Sequence, residues 1–178
     1  MISRIMKAAI CSISGTSMMT LSSALMSLSG QEFREPEHLS NLTGKLMPFL
    51  SEESQAAAGW LAHYGMGSAF AYVYVKLWDK GKLSDSYKTG AVLGGLSGLI
   101  GIMIWKATFK VHPFSPVMNY NRFYLQRLPA HLVFAIFAKM AYRLIKERHF
   151  YKSAMPDIET LQTAKSFSES ESPLIRGI

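Results

Sequence analysis

The chain has 178 residues, of which 49% are hydrophobic and 17% charged, and its mean hydropathy is +0.12. This balance is typical of a membrane protein and disfavours a soluble domain, which would have to bury several long uncharged helices in a small core. The net charge of +7 does not indicate nucleic-acid binding, because the basic residues cluster beside apolar segments and no zinc-finger, ribonucleoprotein or helix-turn-helix pattern occurs.

Residues 5–28 form the first predicted span. They are rich in serine and threonine, whose hydroxyls can bond to carbonyls of the same helix or to neighbouring helices, so we expect this span to face mostly protein. The basic start at Arg4 and Lys7 leaves a cleaved signal peptide as the alternative. Cys11 is the only cysteine, which excludes a disulfide framework and indicates a small buried residue.

Residues 31–55 read as an acidic loop, with five glutamates against Arg34 and Lys45. Two strongly apolar segments follow, residues 56–77 and 89–109. Each reaches the roughly 20 residues that are needed to cross a hydrocarbon core of about 30 Å. They are joined by a lysine-rich connection.

The last part of the chain contains a loop, a fourth span and a tail. Pro113 and Pro116 forbid a long helix in the loop, which we expect to lie along the outer surface. Residues 123–145 form the fourth predicted span, although Arg127 and Lys139 lie within it. Residues 147–178 are polar and rich in serine and glutamate, so they read as a flexible cytoplasmic tail.

Lysine and arginine decide the predicted orientation, because cytoplasmic loops retain positive charge. The amino terminus, the connection 76–88 and the segment after residue 145 are basic, whereas the loop 31–55 is acidic. The sequence therefore predicts an all-α, four-transmembrane-helix bundle over residues 1–146 with both termini cytoplasmic. Basic residues of the third connection oppose this orientation: Lys106, Lys110, Arg122 and Arg127.

Glycines mark the predicted helix contacts. A stripe in the third span, with one glycine in the second, resembles a glycine zipper on which another backbone can approach closely; its members are Gly67, Gly90, Gly94, Gly98 and Gly101. We expect the second and third spans to pack together through these residues. A homo-oligomer that uses the same face is the alternative.

Histidines are the candidate functional groups. His63 and His131 lie at similar depth in the second and fourth spans, on the order of 10 Å below the outer surface. Tyr64 is beside the first, and His112 in the third connection could approach the same opening. The pattern is compatible with a hydrogen bond that fixes helix packing, with a proton-linked or pH-sensing site, or with axial ligation of a haem b by His63 and His131.

Catalytic signatures are missing from the sequence. It contains no phosphate-binding glycine loop, no His-Glu-x-x-His and no Gly-x-Ser-x-Gly motif. No carboxylate falls within the four predicted spans, and such a group usually marks an ion pathway. We therefore expect a protein without catalytic activity and, haem apart, without a cofactor or a metal.

A serine-rich first span, the sequence His63-Tyr-Gly-x-Gly in the second, a glycine-studded third and Pro-Ala-His131-Leu-Val in the fourth resemble the YagU-like family of small bacterial inner-membrane proteins. The likeness covers about residues 5–146. It implies a multi-pass protein of the cell inner membrane with four spans, no established catalytic activity, and family positions at His63, Gly67 and His131. The longer acidic first loop and the tail depart from the family.

Two classes of function follow. The first is a structural or stress-related membrane protein whose histidines pack helices or sense external pH. The second is a redox protein or a transporter of protons or small solutes that uses the same histidines. The lipid bilayer is the expected partner in both cases, with no nucleic acid.

Overall fold

The regular structure of this chain is helical. The computed structural model describes residues 2–81, 83–84 and 86–154, with side chains as far as residue 148. Within these residues there are five helices and no strand, which confirms the all-α prediction. The helices are α1 (Arg4–Ser27), α2 (Glu35–Leu46), α3 (Glu52–Asp79), α4 (Tyr87–Val111) and α5 (Tyr120–Ala154).

Local sequence explains where the helices begin and end. The hydroxyls of Ser3, Ser51 and Ser86 each accept a hydrogen bond from the backbone N–H three residues on, which caps α1, α3 and α4. Such caps satisfy donors that the first turn of a helix leaves unpaired. The loop between α4 and α5 holds Pro113 and Pro116, so the prediction that no long helix occurs there is confirmed.

Helix α2 was not predicted. It lies in the segment that we expected to be an acidic loop, and it begins at Glu35-Pro36-Glu37 and carries Lys45 in its last turn. Proline in the first turn, acidic residues at the start and a basic residue at the end are ordinary signals of a short helix. Gly59 allows α2 to pack closely on α3, since a Cβ there would collide with the carbonyl of Pro36.

Three of the described helices are long and apolar enough to cross a membrane: α1, α4 and residues Tyr120–Arg148 of α5. They correspond to the predicted spans 5–28, 89–109 and 123–145. Helix α3 contains the predicted span 56–77 and has 28 residues, but it is not among the three. Its tyrosines, its glycines and His63 lower its average apolarity.

Polar groups are buried and apolar groups are exposed on the long helices. Fully or nearly fully buried side chains include Ser12, Thr16, Ser97, Arg127 and Lys139. The exposed apolar side chains come from all four long helices and include Ile13, Leu25, Leu61, Val73, Val92, Met103, Leu125 and Met140. A soluble protein usually has the opposite arrangement, whereas polar groups that face inward are usual in membrane proteins.

The four long helices share one core. Its buried members include Cys11 of α1, Val75 of α3, Leu93 of α4 and Phe134 of α5, and the expectation that Cys11 is a small buried residue is confirmed. A second apolar cluster contains Phe33, Leu42 of α2, Trp105 and Phe123. Helix α2 is thus packed against the same ends of α4 and α5 that bear Trp105 and Phe123.

The hydroxyl-rich face of α1 contacts α3, although much of the rest of α1 is exposed. Ser12 lies 2.9 Å from the hydroxyl of Ser68, Ser17 lies 2.8 Å from that of Tyr64, and Thr20 lies 2.8 Å from Nε2 of His63. The serines and threonines of α1 therefore connect helices instead of only bonding back to their own backbone.

The glycine stripe packs on a different helix from the one predicted. A Cβ at Gly94 would lie 2.9 Å from the carbonyl oxygen of His131, and one at Gly98 would lie 3.2 Å from Cα of Leu128. Both neighbours belong to α5, as do the nearest atoms to Gly90 and Gly101. Small residues indicate where a backbone can approach, but they do not specify which helix supplies it, and the predicted pairing of spans two and three through this stripe is wrong.

Gly67 of α3 lies against Thr16 of α1, so it also packs outside the predicted pair. Helices α3 and α4 contact each other by another route. The hydroxyl of Tyr74 approaches Leu93 O at 2.9 Å and Ser97 Oγ at 2.7 Å.

Charged residues join three helices at the opposite end of the core from α2. Asp79 at the end of α3 accepts from Lys7 Nζ at 2.8 Å, from Arg4 Nε at 3.4 Å and from the Tyr142 hydroxyl at 2.9 Å. The beginning of α1, the end of α3 and residue 142 of α5 therefore lie together.

Residues 1–143 form one compact unit, and a second begins at Leu144. The predicted boundary at residue 146 falls inside α5, which continues to Ala154. Residues 155–178, which make up most of the predicted flexible tail, lie outside the described residues.

Candidate functional site

A cavity of about 220 Å³ lies between the helices. Its lining comes from the later halves of α1 and α4, the middle of α3, the earlier half of α5 and the beginning of α2; it includes Thr16, Glu35, His63, Trp105 and His131. Antiparallel helices bring these segments to one end of the unit. The two histidines predicted to lie at similar depth do line a common cavity.

His63 is held by α1. It is only 4% exposed, and its Nε2 lies 2.8 Å from Thr20 Oγ1. The Thr20 hydroxyl also donates to the carbonyl of Thr16 at 2.9 Å. Trp60 and Tyr64 approach the imidazole edge-on, with ring centroids 6.3 and 6.0 Å away.

His131 is held by α4. Its Nδ1 lies 3.1 Å from Ser97 Oγ, and the Ser97 hydroxyl lies 3.1 Å from the carbonyl oxygen of Gly94. Phe70 of α3 packs edge-on at 5.4 Å. A Cβ at Gly101 would lie 2.7 Å from Nε2 of His131, so this glycine makes room for the ring.

A buried ion pair lies at one wall of the cavity. Glu35, in the first turn of α2, pairs with Arg127 of α5, and the two side chains are 4% and 0% exposed. Arg127 also donates to Phe33 O at 2.5 Å and to the Gln126 side chain, and its guanidinium lies 4.2 Å from the Phe123 ring centroid. The charge of Arg127 is therefore compensated by a carboxylate that lines the cavity.

No carboxylate falls within the predicted spans, but Glu35 reaches the cavity from α2, outside those spans. Glu35 was assigned to a solvated loop, because sequence periodicity does not show that α2 folds against the long helices. A signal was nevertheless present. An arginine within an apolar helix needs a partner, and Glu35 lies at the start of a short helix whose first-turn signature was readable.

Tyr64 and His112 lie outside the cavity lining. The Tyr64 hydroxyl bonds to Ser17, and its ring stacks on Trp60 at 6.0 Å. His112 is half-buried at the end of α4, where its Nε2 lies 3.1 Å from the carbonyl of Leu42. It fastens α2 to α4, and it does not join His63 at the cavity.

His38, which was not singled out from the sequence, lies in the aromatic cluster beside the site. Its ring centroid is 4.9 Å from that of Phe123 and 6.0 Å from that of Trp105. Nε2 contacts the carbonyl of Glu32 at 3.0 Å. Burial lowers the pKa of His38, and this effect outweighs that carbonyl, which acts in the opposite direction.

Glu32 anchors the chain just before α2. Hydrogen bonds from Arg34 hold the pKa of Glu32 at about 2, and the Ser27 hydroxyl adds a further donor. The carboxylate of Glu32 also accepts from the Arg34 backbone N–H at 2.8 Å. The turn between α1 and α2 is thus fixed by charge, which positions Glu35 one residue further on.

For haem ligation by His63 and His131, each imidazole would have to offer iron the ring nitrogen that is not bonded to a hydroxyl. Each imidazole gives one nitrogen to a hydroxyl, and Nε2 of His131 packs against Gly101. No group of three or more histidine, cysteine or acidic side chains within the described residues is placed to hold a metal ion.

The chain matches no protein-family model, no curated protein and no solved structure.

Proposed function

We propose that this chain is a multi-pass protein of the bacterial inner membrane, related to the YagU-like family, with α3 as a fourth span and both termini in the cytoplasm. Exposed apolar side chains on α3, such as Leu61 (77%) and Val73 (50%), support a lipid-facing surface. The contacts of Asp79 support the topology, because they bring basic residues of α1 to the end of α3.

The orientation gains support from Arg127. This residue counted against a cytoplasmic amino terminus, but its charge is compensated inside the protein by Glu35. Arg127 is a buried residue of α5 and not a residue of the connecting loop.

Lipid, and not a second copy of the chain, is the proposed neighbour of the exposed helix faces. The glycine stripe that could have served a homo-oligomer is covered by α5. What remains outside is large, apolar and suited to acyl chains.

Within this membrane protein, we propose a non-catalytic role in which the histidines pack the helices and respond to external pH. The observation that carries the proposal is that His63 and His131 each bond one ring nitrogen to a hydroxyl and line the same cavity. Glu35 lines the same cavity as both rings, and it is paired with Arg127. Protonation would place positive charge beside Arg127 in a site with little water, so acid should loosen the packing.

Thermal unfolding of the purified protein in detergent at pH 7.5 and pH 5.5 tests this role. The unfolding temperature of the wild type should fall by a few degrees at the lower pH, since 1 kcal/mol shifts it by about 2–4 °C in a chain of this size. His63→Gln and His131→Gln should unfold earlier at pH 7.5 and show a smaller drop. His112→Gln, outside the cavity, should keep the wild-type drop.

A wild type with the same unfolding temperature at both pH values would refute pH sensing. Variants that are destabilised but retain the full drop would leave the histidines with a packing role alone. A visible spectrum of protein from washed membranes, oxidised and reduced, serves as a further check. A reducible haem band that is lost in His63→Ala would replace the proposal with an electron carrier.

A further inference from the structure

The hydrogen bonds of His63 fix which of its nitrogens carries the proton. The single hydroxyl hydrogen of Thr20 is given to the carbonyl of Thr16. Thr20 Oγ1 must therefore accept, and the imidazole donates from Nε2. The other nitrogen, Nδ1, is then an acceptor, and no hydrogen bond to it occurs among the described residues.

The same argument applies to His131. The Ser97 hydroxyl accepts from the Tyr74 hydroxyl at 2.7 Å and donates to the carbonyl of Gly94, and with these two bonds in place the imidazole donates from Nδ1 to Ser97 Oγ. Nε2 of His131 remains as a bare acceptor, again without a donor in the described part of the chain. Two helices thus present acceptor nitrogens on residues that line one cavity.

Two oxygens on the same lining also lack partners. Oε2 of Glu35 and Oγ1 of Thr16 are buried with no hydrogen-bond partner within the described residues. Glu35 is 3% exposed, and a buried acceptor without a donor carries a desolvation cost. The polar lining of the cavity therefore includes an unpaired carboxylate oxygen, which accepts, and an unpaired hydroxyl, which can accept or donate.

Charge and size narrow the class of ligand. Arg127 already compensates the charge of Glu35, so a cation would be repelled by the guanidinium. An anion would be repelled by the lone pairs of Glu35 and of the imidazoles. The apolar lining includes Phe70, Trp105 and Phe134, which suits an aromatic ring. A volume of about 220 Å³ lies below the ~300–1,000 Å³ of drug-sized pockets and fits a single ring.

We propose that this cavity is a binding site for a neutral single-ring aromatic compound that donates hydrogen bonds, of the phenol class. Its hydroxyl donates to Glu35 or to a bare imidazole nitrogen, and its ring packs among Phe70, Trp105 and Phe134. This binding site is a proposal separate from the pH response of the histidines. Binding is measured at pH 7.5, before the histidines take up protons.

Four probes that share one ring test the proposal on the wild-type protein in nanodiscs, with ligand-observed NMR as the readout. Phenol is the neutral donor, toluene lacks a donor, benzylamine is the cation and benzoate is the anion. Phenol should bind saturably, and about tenfold or more tighter than toluene, as expected for one hydrogen bond of good geometry. Benzylamine and benzoate should bind more weakly than phenol.

Two variants locate the site. Thr16→Val keeps the shape and removes one oxygen of the lining, and His131→Phe removes a bare nitrogen; each should weaken phenol binding, by about threefold or more, while toluene binding changes little. His112→Gln is the control and should bind phenol as the wild type does.

The other outcomes overturn the proposal. Equal affinity for phenol and toluene would identify an apolar void. Tightest binding of benzylamine would identify a cation site, and tightest binding of benzoate an anion site. No saturable binding of phenol by the wild type would remove the site, while leaving the pH response of the histidines to its own measurement. Phenol binding that neither variant weakens would place it elsewhere on the protein.

Discussion

Single side chains explain why the interior of this protein is polar. Arg127 is fully buried, yet it contacts a carboxylate, a backbone carbonyl, an amide and an aromatic ring. Hydroxyls of α1 and α4 hold the two imidazoles at the cavity. Arg127, His63 and His131 are therefore each placed by a residue from another helix, and removing one partner should cost more than removing both.

Arg127→Met should destabilise the protein by about 3–5 kcal/mol, because Glu35 would remain buried without its counter-ion. The double variant Glu35→Met/Arg127→Met should recover most of this loss. Denaturant unfolding in mixed micelles measures both. Arg122→Met, which removes an exposed arginine that bonds to Ser29, is the matched control and should be nearly neutral. A double variant no more stable than Arg127→Met would contradict the pairing.

At the scale of elements, close backbone contact decides which helices are neighbours. Gly94 of α4 lies against the backbone of α5, whereas nothing lies within 4 Å of a Cβ built at Gly95. The two glycines are adjacent in the chain, but they lie on different faces of α4, one against α5 and the other with open space beside it. They form a matched pair for measuring the α4 to α5 contact.

Gly94→Ala should cost about 1–3 kcal/mol, since a backbone cannot move aside as a flexible side chain can. Gly95→Ala should be neutral or stabilise by up to about 1 kcal/mol, because alanine favours the helix. Thermal unfolding of the two variants side by side is the measurement. Equal effects would mean that the stripe does not set this contact.

Helix α2 is the element whose docking depends on pH. Burial lowers the pKa of His38 in docked α2. The His38 imidazole therefore takes up a proton near pH 6.5 when the segment is unfolded, and only at lower pH when α2 is docked. Docking is therefore strongest above about pH 6.5 and weakens as the pH falls through that value, by at most about 1.4 kcal/mol per pH unit.

Hydrogen exchange of α2 amides, corrected for the intrinsic pH effect, should show less protection at pH 5.5 than at pH 7.5. His38→Phe keeps an aromatic ring beside Phe123 and Trp105 and has no proton to take up, so its protection should change less with pH than that of the wild type. Similar pH dependence in the two proteins would show that another group controls docking.

On the scale of the whole molecule, ion pairs lie near the two ends of the long helices. The basic residues Arg4 and Lys7 meet Asp79 at one end, and Glu32, Arg34 and Glu37 form ion pairs near the other. Between them the exposed surface of the long helices is largely apolar. This arrangement fits a protein that crosses a bilayer, with α3 included among the spans.

Thiol labelling of single-cysteine variants tests the four-span topology. In a Cys11→Ala background, Met47→Cys and Val117→Cys, at positions 46% and 104% exposed, should react in intact cells with a reagent that cannot cross the membrane. Lys80→Cys, just after α3, should react only after lysis. Labelling of positions 47 and 80 from the same side would show that α3 does not cross.

The sequence by itself determined the helical class, the position of the long apolar segments, the proline-containing break between α4 and α5, and the placement of His63 and His131 where the two could meet. These features depend on local composition and on helical periodicity, which act within one segment. The same local reasoning was too coarse for α2, because its short amphipathic pattern was outweighed by its acidic composition.

Only the tertiary structure decided which surfaces meet. A glycine stripe allows close packing of any helix, and in this structure it packs on α5. Glu35 lies 92 positions before Arg127 in the chain, and no local pattern connects them. The cavity exists because five helices converge on it, and its chemistry depends on which hydroxyl each imidazole meets. Such pairings are long-range, so they are fixed by packing and by the need to satisfy buried charge, and a single sequence does not display them.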